Sequence, residues 1–377
     1  MVDETKLRAF GNLVVRLERR EDLSREEVRE AYREIWRNEQ PELHQGAFIA
    51  ALRAKPETKD ELVGVVEAFQ DEWRLFYPHV VHAAEPALSI AGIGMDTLKT
   101  INVSSGAAVL TAACGVYVHK PGAPALTGIS GAADMFAHWG VDIDVDGAAQ
   151  VKSTETCRLG FTSVVGRAFM HSGFGRIISQ IRIGTSFHIG GPLGRHFGEK
   201  HKIVGVPDPK LGRMVCEVLR DLGCERALAP SGEATEFPGQ FLDELSTAGK
   251  SHLAELLPNG EIRETTLVPE DVGLRQTPFA DIATRASGEE NARVLARALA
   301  GKEQGGIVDI LLLNAASGIV LMGKAESLRE GVSIARQAIE DGRAIEQLRA
   351  LIRTQNSLGQ NISAEAGLAK LEALLTG

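Results

Sequence analysis

Ala91-Gly92-Ile93-Gly94-Met95-Asp96-Thr97-Leu98-Lys99-Thr100-Ile101-Asn102-Val103-Ser104-Ser105-Gly106 is the stretch on which the fold turns. The apolar run Leu88 to Ala91 reads as a strand, and it leads into a loop with two glycines. The loop passes into an Asn-x-Ser-Ser start of the apolar helix Ala107 to Ala113. Glycines let backbone N–H groups come close to phosphate oxygens, and a helix N-terminus adds unpaired donors and a partial positive charge. The hydroxyls of Thr100, Ser104 and Ser105 can bond phosphate or help to hold a metal. Taken alone, the pattern fits an ordinary tight turn before a Ser/Asn-capped helix equally well.

Downstream, short apolar strands alternate with glycine-rich turns and helical stretches over nearly 300 residues. Leu88 to Ala91 and Ile203 to Val206 read as strands, with Ala227-Leu228-Ala229 and Thr266-Leu267-Val268 as further candidates. That alternation predicts an α/β domain with a mostly parallel sheet. Upstream the chain reads as helices. Ser24-Arg25-Glu26-Glu27 is a capping box followed at helical spacing by Val28, Ala31, Tyr32, Ile35 and Trp36, with Pro41 beyond. A second box, Thr58 to Glu61, opens a segment with Leu62, Val63, Val66, Phe69 and Trp73 on one face, closed by Pro78. Ser327 to Glu330 caps a late helix that Gly342 follows. The expected organisation is a small N-terminal helical domain over 1–86, completed by a segment near 170–195, and a large α/β domain over 87–377.

The 377 residues are 44 % hydrophobic and 24 % charged, ordinary values for a chain that buries its own core. A formal net charge of −9 speaks against a protein that coats nucleic acid. Cys114, Cys157, Cys216 and Cys224 form no CxxC pair and no zinc-like spacing with histidine, so reduced thiols are expected. Residues 1–20 are amphipathic and charged, without a signal-peptide pattern, and no apolar run approaches the roughly 20 residues of a membrane helix. A soluble, cytoplasmic protein is expected.

Read with its spacing, the glycine stretch resembles the Gly-Thr-Gly-Gly-Asp loop of anthranilate phosphoribosyltransferases and the Thr-Phe-Asn-Ile-Ser-Thr segment after it, without a gap. Further segments follow in the same order. Lys120-Pro121-Gly122 with Ser130-Gly131-Ala132-Ala133-Asp134 resembles the family's Lys-His-Gly-Asn-Arg and Ser-Gly-Ser-Ala-Asp. Thr185 to Leu193 is similar to Thr-x-Phe-Asn-x-x-Gly-Pro-Leu, and Leu242-Asp243-Glu244-Leu245-Ser246 to Leu-Asp-Glu-x-Ser. Val268 to Leu274 carries Pro-Glu-Asp-x-Gly, and Leu313-Asn314-Ala315-Ala316 completes the set. The resemblance implies the two-domain fold that this family shares with nucleoside phosphorylases, and a homodimer joined through the N-terminal helices. It implies that Gly92, Gly94 and Asp96 line the diphosphate loop. Thr100, Asn102, Ser104 and Ser105 would then contact phosphoribosyl diphosphate, with Ser104 also near Mg²⁺.

Adjacent carboxylates such as Asp243-Glu244 are usually solvated charges, and a solvent-accessible loop is the expectation for them. A cation shared with a diphosphate wants a couple of carboxylates and keeps several waters, the usual Mg²⁺ arrangement. The resemblance gives this pair to the metal and makes Asp243, Glu244 and Lys120 the catalytic candidates. Lys120, at the end of the apolar run Val116-Tyr117-Val118, is expected in a loop.

The departures concern the acceptor. Pro121, Ala123 and Pro124 stand at the His, Asn and Arg positions of Lys-His-Gly-Asn-Arg, and His188 stands for the Asn after Phe187. The arginine that anchors the anthranilate carboxylate falls at Ile178, with Arg176 and Arg182 close by. Ile93 and Met95 replace Thr and Gly in the diphosphate loop. Gly122, His188 and Arg176 join the substrate-binding candidates, and the expected function is Mg²⁺-dependent transfer of phosphoribose to an aromatic or heterocyclic acceptor. Two alternatives stand beside it. One is a true anthranilate enzyme with a rearranged acceptor site. The other is a non-catalytic nucleic-acid binder using Arg176, Arg182, Arg195, Lys200 and Lys202 with His188, His196 and His201. Phosphorolysis of a nucleoside is disfavoured by the Leu-Asp-Glu-x-Ser and Pro-Glu-Asp-x-Gly segments.

Overall fold

A computed structural model describes residues 4–125 and 128–376, apart from the side chains of Arg167 and Ala168. The outermost residues of the two expected domains, 1–3 and 377, lie outside that description. The chain divides into two compact units, one of Met1–Pro78, Val165–His196 and Glu217–Gly223, the other of His79–Val164, Phe197–Cys216 and Cys224–Gly377.

The first unit is helical. Its opening helices are α1 (Glu4–Glu18), α2 (Arg25–Trp36), α3 (Glu42–Ala54) and α4 (Lys59–Phe76). Ser24 and Thr58 cap α2 and α4, each with a reciprocal bond from the glutamate three residues on. Glu61 does more than cap. Its carboxylate also accepts from the Leu23 N–H at 2.9 Å and from the buried Lys55 ammonium at 2.8 Å. Apolar residues at helical spacing meet in an aromatic core in which Trp36 contacts Phe69, Phe169 and Phe174. The later helices Gly173–Ile181 and Ser186–Gly190 belong to the same unit.

The second unit is built on an eight-stranded sheet. Its strands are β1 (Leu88–Gly92), β2 (Val118–Gly122), β3 (Leu159–Ser163), β4 (His201–Gly205), β5 (Arg226–Glu233), β6 (Phe241–Leu242), β7 (Ser251–Leu256) and β8 (Ile262–Leu267). The order is β3-β2-β1-β4-β5-β7-β8, with β6 beside β5. Strands β1 to β5 run parallel, and β6, β7 and β8 are added antiparallel. One face carries Leu88, Ile90, Val118, Phe161, Ile203 and Leu228 into the main core. That core takes in α5 (Val103–Ala113) and the apolar helix Gly306–Leu321. The helices meet so closely at Gly106 that a Cβ there would sit 2.6 Å from Leu311. On the other face the buried His119 ring lies between the Thr154 and Thr162 hydroxyls at 2.8 and 2.7 Å.

Lys120 does not lie in a loop, as its position after the apolar run suggests. It is part of β2 and only 2 % exposed. Pro121 is tolerated there because pairing to β1 stops at His119 while pairing to β3 continues to Gly122, so the missing N–H falls where the ladder has ended.

Chain order places β2 and β3 on one side of β1, and β4 and β5 on the other. The direction of winding therefore reverses between β1 and β4, and in parallel sheets ligands bind beyond the carboxyl ends of the strands at such a reversal.

Candidate active site

The glycine stretch and the Asp243-Glu244 pair meet at that reversal. Strand β1 ends at Gly92 and β4 at Gly205, their last residues paired in register. The Ile93 N–H donates to the Gly205 carbonyl at 2.9 Å, which turns the chain out of the sheet. Gly94 and Met95 follow with φ of +70° and +61°. Glycine adopts such angles freely, whereas Met95 is held in a conformation L-residues rarely take. The loop then bridges Thr100 to Ala283 and enters α5 at Asn102. Ser104 and Ser105 lie in the first turn of α5. The Asn102 Oδ1 and the Ser105 Oγ are both buried without a hydrogen-bond partner, although the Asn102 amide nitrogen donates to Ser130 O at 3.0 Å.

Asp243 follows β6 and lies over the glycines. Its Oδ2 accepts from the Gly94 N–H at 2.7 Å. A Cβ on Gly92 would collide with that oxygen, and one on Gly205 would collide with the Asp243 carbonyl. Glu244 does not have the solvent access that its sequence neighbourhood suggests. It is 7 % exposed and accepts from the Thr100 hydroxyl at 2.5 Å. Flanking Leu242 and Leu245 are fully buried and pull the pair inward. Asn314, from the helix Gly306–Leu321, grips the backbone just beyond: its Oδ1 accepts from Leu245 N at 3.0 Å and its Nδ2 donates to Leu245 O at 2.8 Å.

The electrostatics follow from this crowding. Burial first, and then the Asp243 charge, push Glu244 well above the usual carboxylate range. The same two causes, in that order, raise Asp96 to about 6, although Lys99 bonds it at 2.8 Å. Burial lowers the Lys120 ammonium to about 8 against the opposing pull of Asp243 and Glu244. Glu244 and Asp96 thus both lie within the field of the Asp243 charge. Among the described residues no group of three or more His, Cys, Asp and Glu has the arrangement of a complete metal cage. A hard cation shared with a diphosphate needs only one or two carboxylates, however, and the all-oxygen donor set of Asp243 and Glu244 suits Mg²⁺.

Of the sequence-predicted residues, Gly92, Gly94, Thr100, Asp243 and Glu244 are linked directly, Asn102, Ser104 and Ser105 continue the same loop into α5, and Asp96 and Lys120 act on the carboxylates through their fields. Gly122 ends β2, where a Cβ would collide with Ala132. His188 and Arg176 belong to the helical unit. The His188 Nδ1 accepts from the Thr185 N–H at 2.9 Å, closing the start of its own helix. The Arg176 guanidinium is engaged by Glu42 and Asn38. Ile178 is half-buried on the same helix. Lys202 is fully buried, donating to Ser89 at 3.2 Å, and Lys200 pairs with Glu225 at 2.6 Å, so the basic stretch is not a continuous surface. Gly205 and Asn314 support the site without standing out in the sequence. A glycine closing an apolar strand is the signal for the first; the second sits in one of the matching segments.

Residues 84–345 match the profile of a glycosyl transferase family α/β domain, and residues 12–72 match that family's helical bundle domain. An anthranilate phosphoribosyltransferase of Chelativorans sp. (strain BNC1) is 35 % identical over 336 residues, covering 89 % of this chain and 94 % of the relative. The chain belongs to the anthranilate phosphoribosyltransferase family. Among solved structures, the enzyme of that name from Thermus thermophilus superposes with a TM-score of 0.79 at 28 % identity, covering 96 % of this chain and 99 % of that one. The fold is shared also with the Saccharomyces cerevisiae enzyme in complex with PRPP and Mg, at a TM-score of 0.79 and 24 % identity, covering 94 % and 99 %. No helix among the described residues is long and apolar enough to cross a membrane.

Proposed function

We propose that this chain is a Mg²⁺-dependent phosphoribosyltransferase that moves phosphoribose from phosphoribosyl diphosphate to an aromatic or heterocyclic acceptor, releasing pyrophosphate. The observation that carries the reading is the meeting of a glycine loop, a helix start and the Asp243-Glu244 carboxylate pair at one strand end. A diphosphate supplies the negative oxygens that loop amides and a helix start attract, and a cation balances the carboxylates. Asp243 and Glu244 would hold Mg²⁺, with Ser104 near it, and the chemistry it would supply there is positive charge against the leaving diphosphate. Gly92, Gly94, Thr100, Asn102 and Ser105 would hold the diphosphate and sugar, and Lys120 would add positive charge behind the carboxylates. Their task is to stabilise the leaving group and keep the acceptor in line.

Calorimetry of phosphoribosyl diphosphate with Mg²⁺ and with EDTA tests this. Binding should weaken sharply in EDTA, and equal affinity would remove the metal from the reading. Asp243→Ala combined with Glu244→Ala should lower pyrophosphate release roughly a thousandfold or more.

Anthranilate should be a poor acceptor. Ile178 offers no charge to its carboxylate, Arg176 is engaged by Glu42, and Pro121 and Ala123 cannot pair its polar groups. A site without the matching cation forgoes a charge-assisted bidentate pair. Robust turnover of anthranilate, or rescue of a tryptophan auxotroph lacking its own enzyme, would assign the chain to that substrate instead. The protein is proposed to act as a cytoplasmic homodimer joined through its N-terminal helices.

A further inference from the structure

We propose that Asp243 is a built-in stand-in for the diphosphate: its carboxylate, held on the Gly94 amide, occupies the place on the glycine loop that a diphosphate oxygen takes. The inference rests on the reading of that loop as a diphosphate site. Glycines at 92 and 94 keep side chains away so that an anion can come close to the backbone. That space is already filled. The Asp243 Oδ2 would overlap a Cβ on Gly92, with the Cγ 2.8 Å from it, and the same Oδ2 takes the Gly94 N–H at 2.7 Å. A backbone N–H has one proton to give, so Gly94 cannot serve a second anion while Asp243 holds it.

The carboxylate is not idle packing. Its backbone is clamped from both sides, by the close approach of Gly205 and by the Asn314 grip on Leu245 two residues on. Only the side chain is therefore free to move between the loop and a cation. A cation draws the carboxylate off Gly94 and uncovers the amide for the diphosphate. Metal and diphosphate then bind cooperatively for a reason beyond charge neutralisation, and a diphosphate arriving without metal meets a carboxylate in its seat. The device keeps the loop from being taken by metal-free phosphates.

The test uses the full chain with MgCl₂ alone, inorganic pyrophosphate alone, and both. Without Mg²⁺, Asp243→Ala should bind pyrophosphate about tenfold more tightly than the unchanged protein, the effect of releasing one hydrogen bond from a charged group. Asp243→Asn removes the charge but keeps a side-chain oxygen that can accept from the Gly94 N–H, and should gain less than half as much on the logarithmic scale. Equal gains in the two variants, or no gain in Asp243→Ala, would overturn the stand-in while leaving the diphosphate site intact. Should Asp243→Ala fail to fold, the unchanged protein decides: with glycine labelled in ¹⁵N, MgCl₂ alone should shift the Gly94 amide and speed its hydrogen exchange. An amide indifferent to MgCl₂ would overturn the proposal. Absence of pyrophosphate binding to every variant, with or without Mg²⁺, would instead sink the diphosphate reading and the stand-in with it.

Discussion

Glu244 is a carboxylate that its own surroundings barely tolerate. It is buried, the Thr100 hydroxyl that donates to it is neutral, and Asp243 and Asp96 add like charge. Glu244→Gln should therefore raise the thermal midpoint of the metal-free chain while strongly reducing pyrophosphate release, an opposition that differential scanning fluorimetry and a turnover assay can read together. The pH dependence has the same origin. Both Asp96 and Glu244 are raised acids, so the folded state holds their protons more tightly than the unfolded chain does. Their contribution is full below the ordinary carboxylate range and is lost as pH rises through about 6 for Asp96. The metal-free protein should thus lose stability between about pH 4 and pH 7, and Mg²⁺ should recover more of it at the upper end. A metal-free midpoint that climbs over that range would contradict the assignment. The sequence displays these carboxylates but not their burial, because adjacent acids look the same in a solvated loop and in a closed one.

The helices are the most legible elements. Both capping boxes read from Ser24-x-x-Glu27 and Thr58-x-x-Glu61 close as expected, since a cap depends on residues three apart and little else. What local spacing cannot convey is that Glu61 also binds Leu23 N and the buried Lys55. Glu61→Ala should accordingly cost more than a lost cap, about 3 kcal/mol, because it removes a partner from a buried ammonium. Chemical denaturation would measure this, with Thr58→Ala, expected near about 1 kcal/mol, as the reference. The strands are harder. Pro121 looks like the end of β2, and only its position relative to β1 explains why it is not. His119 and Lys202 break the apolar pattern of buried strands, being satisfied by residues far along the chain.

At the scale of the molecule, fold class is legible from the alternation of elements, but strand order is not, since parallel pairing joins segments such as Gly92 and Gly205 that no short window contains together. The stretch from Arg176 to Lys202 shows the opposite error. Its charges are neighbours in sequence, yet they divide between two units, and Lys202 lies in a core. The helical unit leaves large apolar side chains in the open, with Leu43 86 % and Val15 41 % exposed and Met170 and Ile183 exposed as well. Those residues are expected to be covered by a second copy. Size-exclusion chromatography with light scattering should find a dimer at micromolar concentration, and Leu43→Glu should shift it toward monomer; a monomer from the start would refute the homodimer.

The grip of Asn314 on Leu245 has a consequence for how the protein is made. Leu245, just after Asp243 and Glu244, lies 69 residues upstream of the side chain that fixes it. A ribosome delivers the glycine loop first, the carboxylates much later, and their clamp later still, so a growing chain carries an unfixed acidic loop for many seconds at ordinary rates of synthesis. Products of interrupted translation that stop short of residue 314 would lack the contact that fixes the carboxylate loop. Assembly of the site is thereby deferred until nearly the whole α/β unit has left the ribosome.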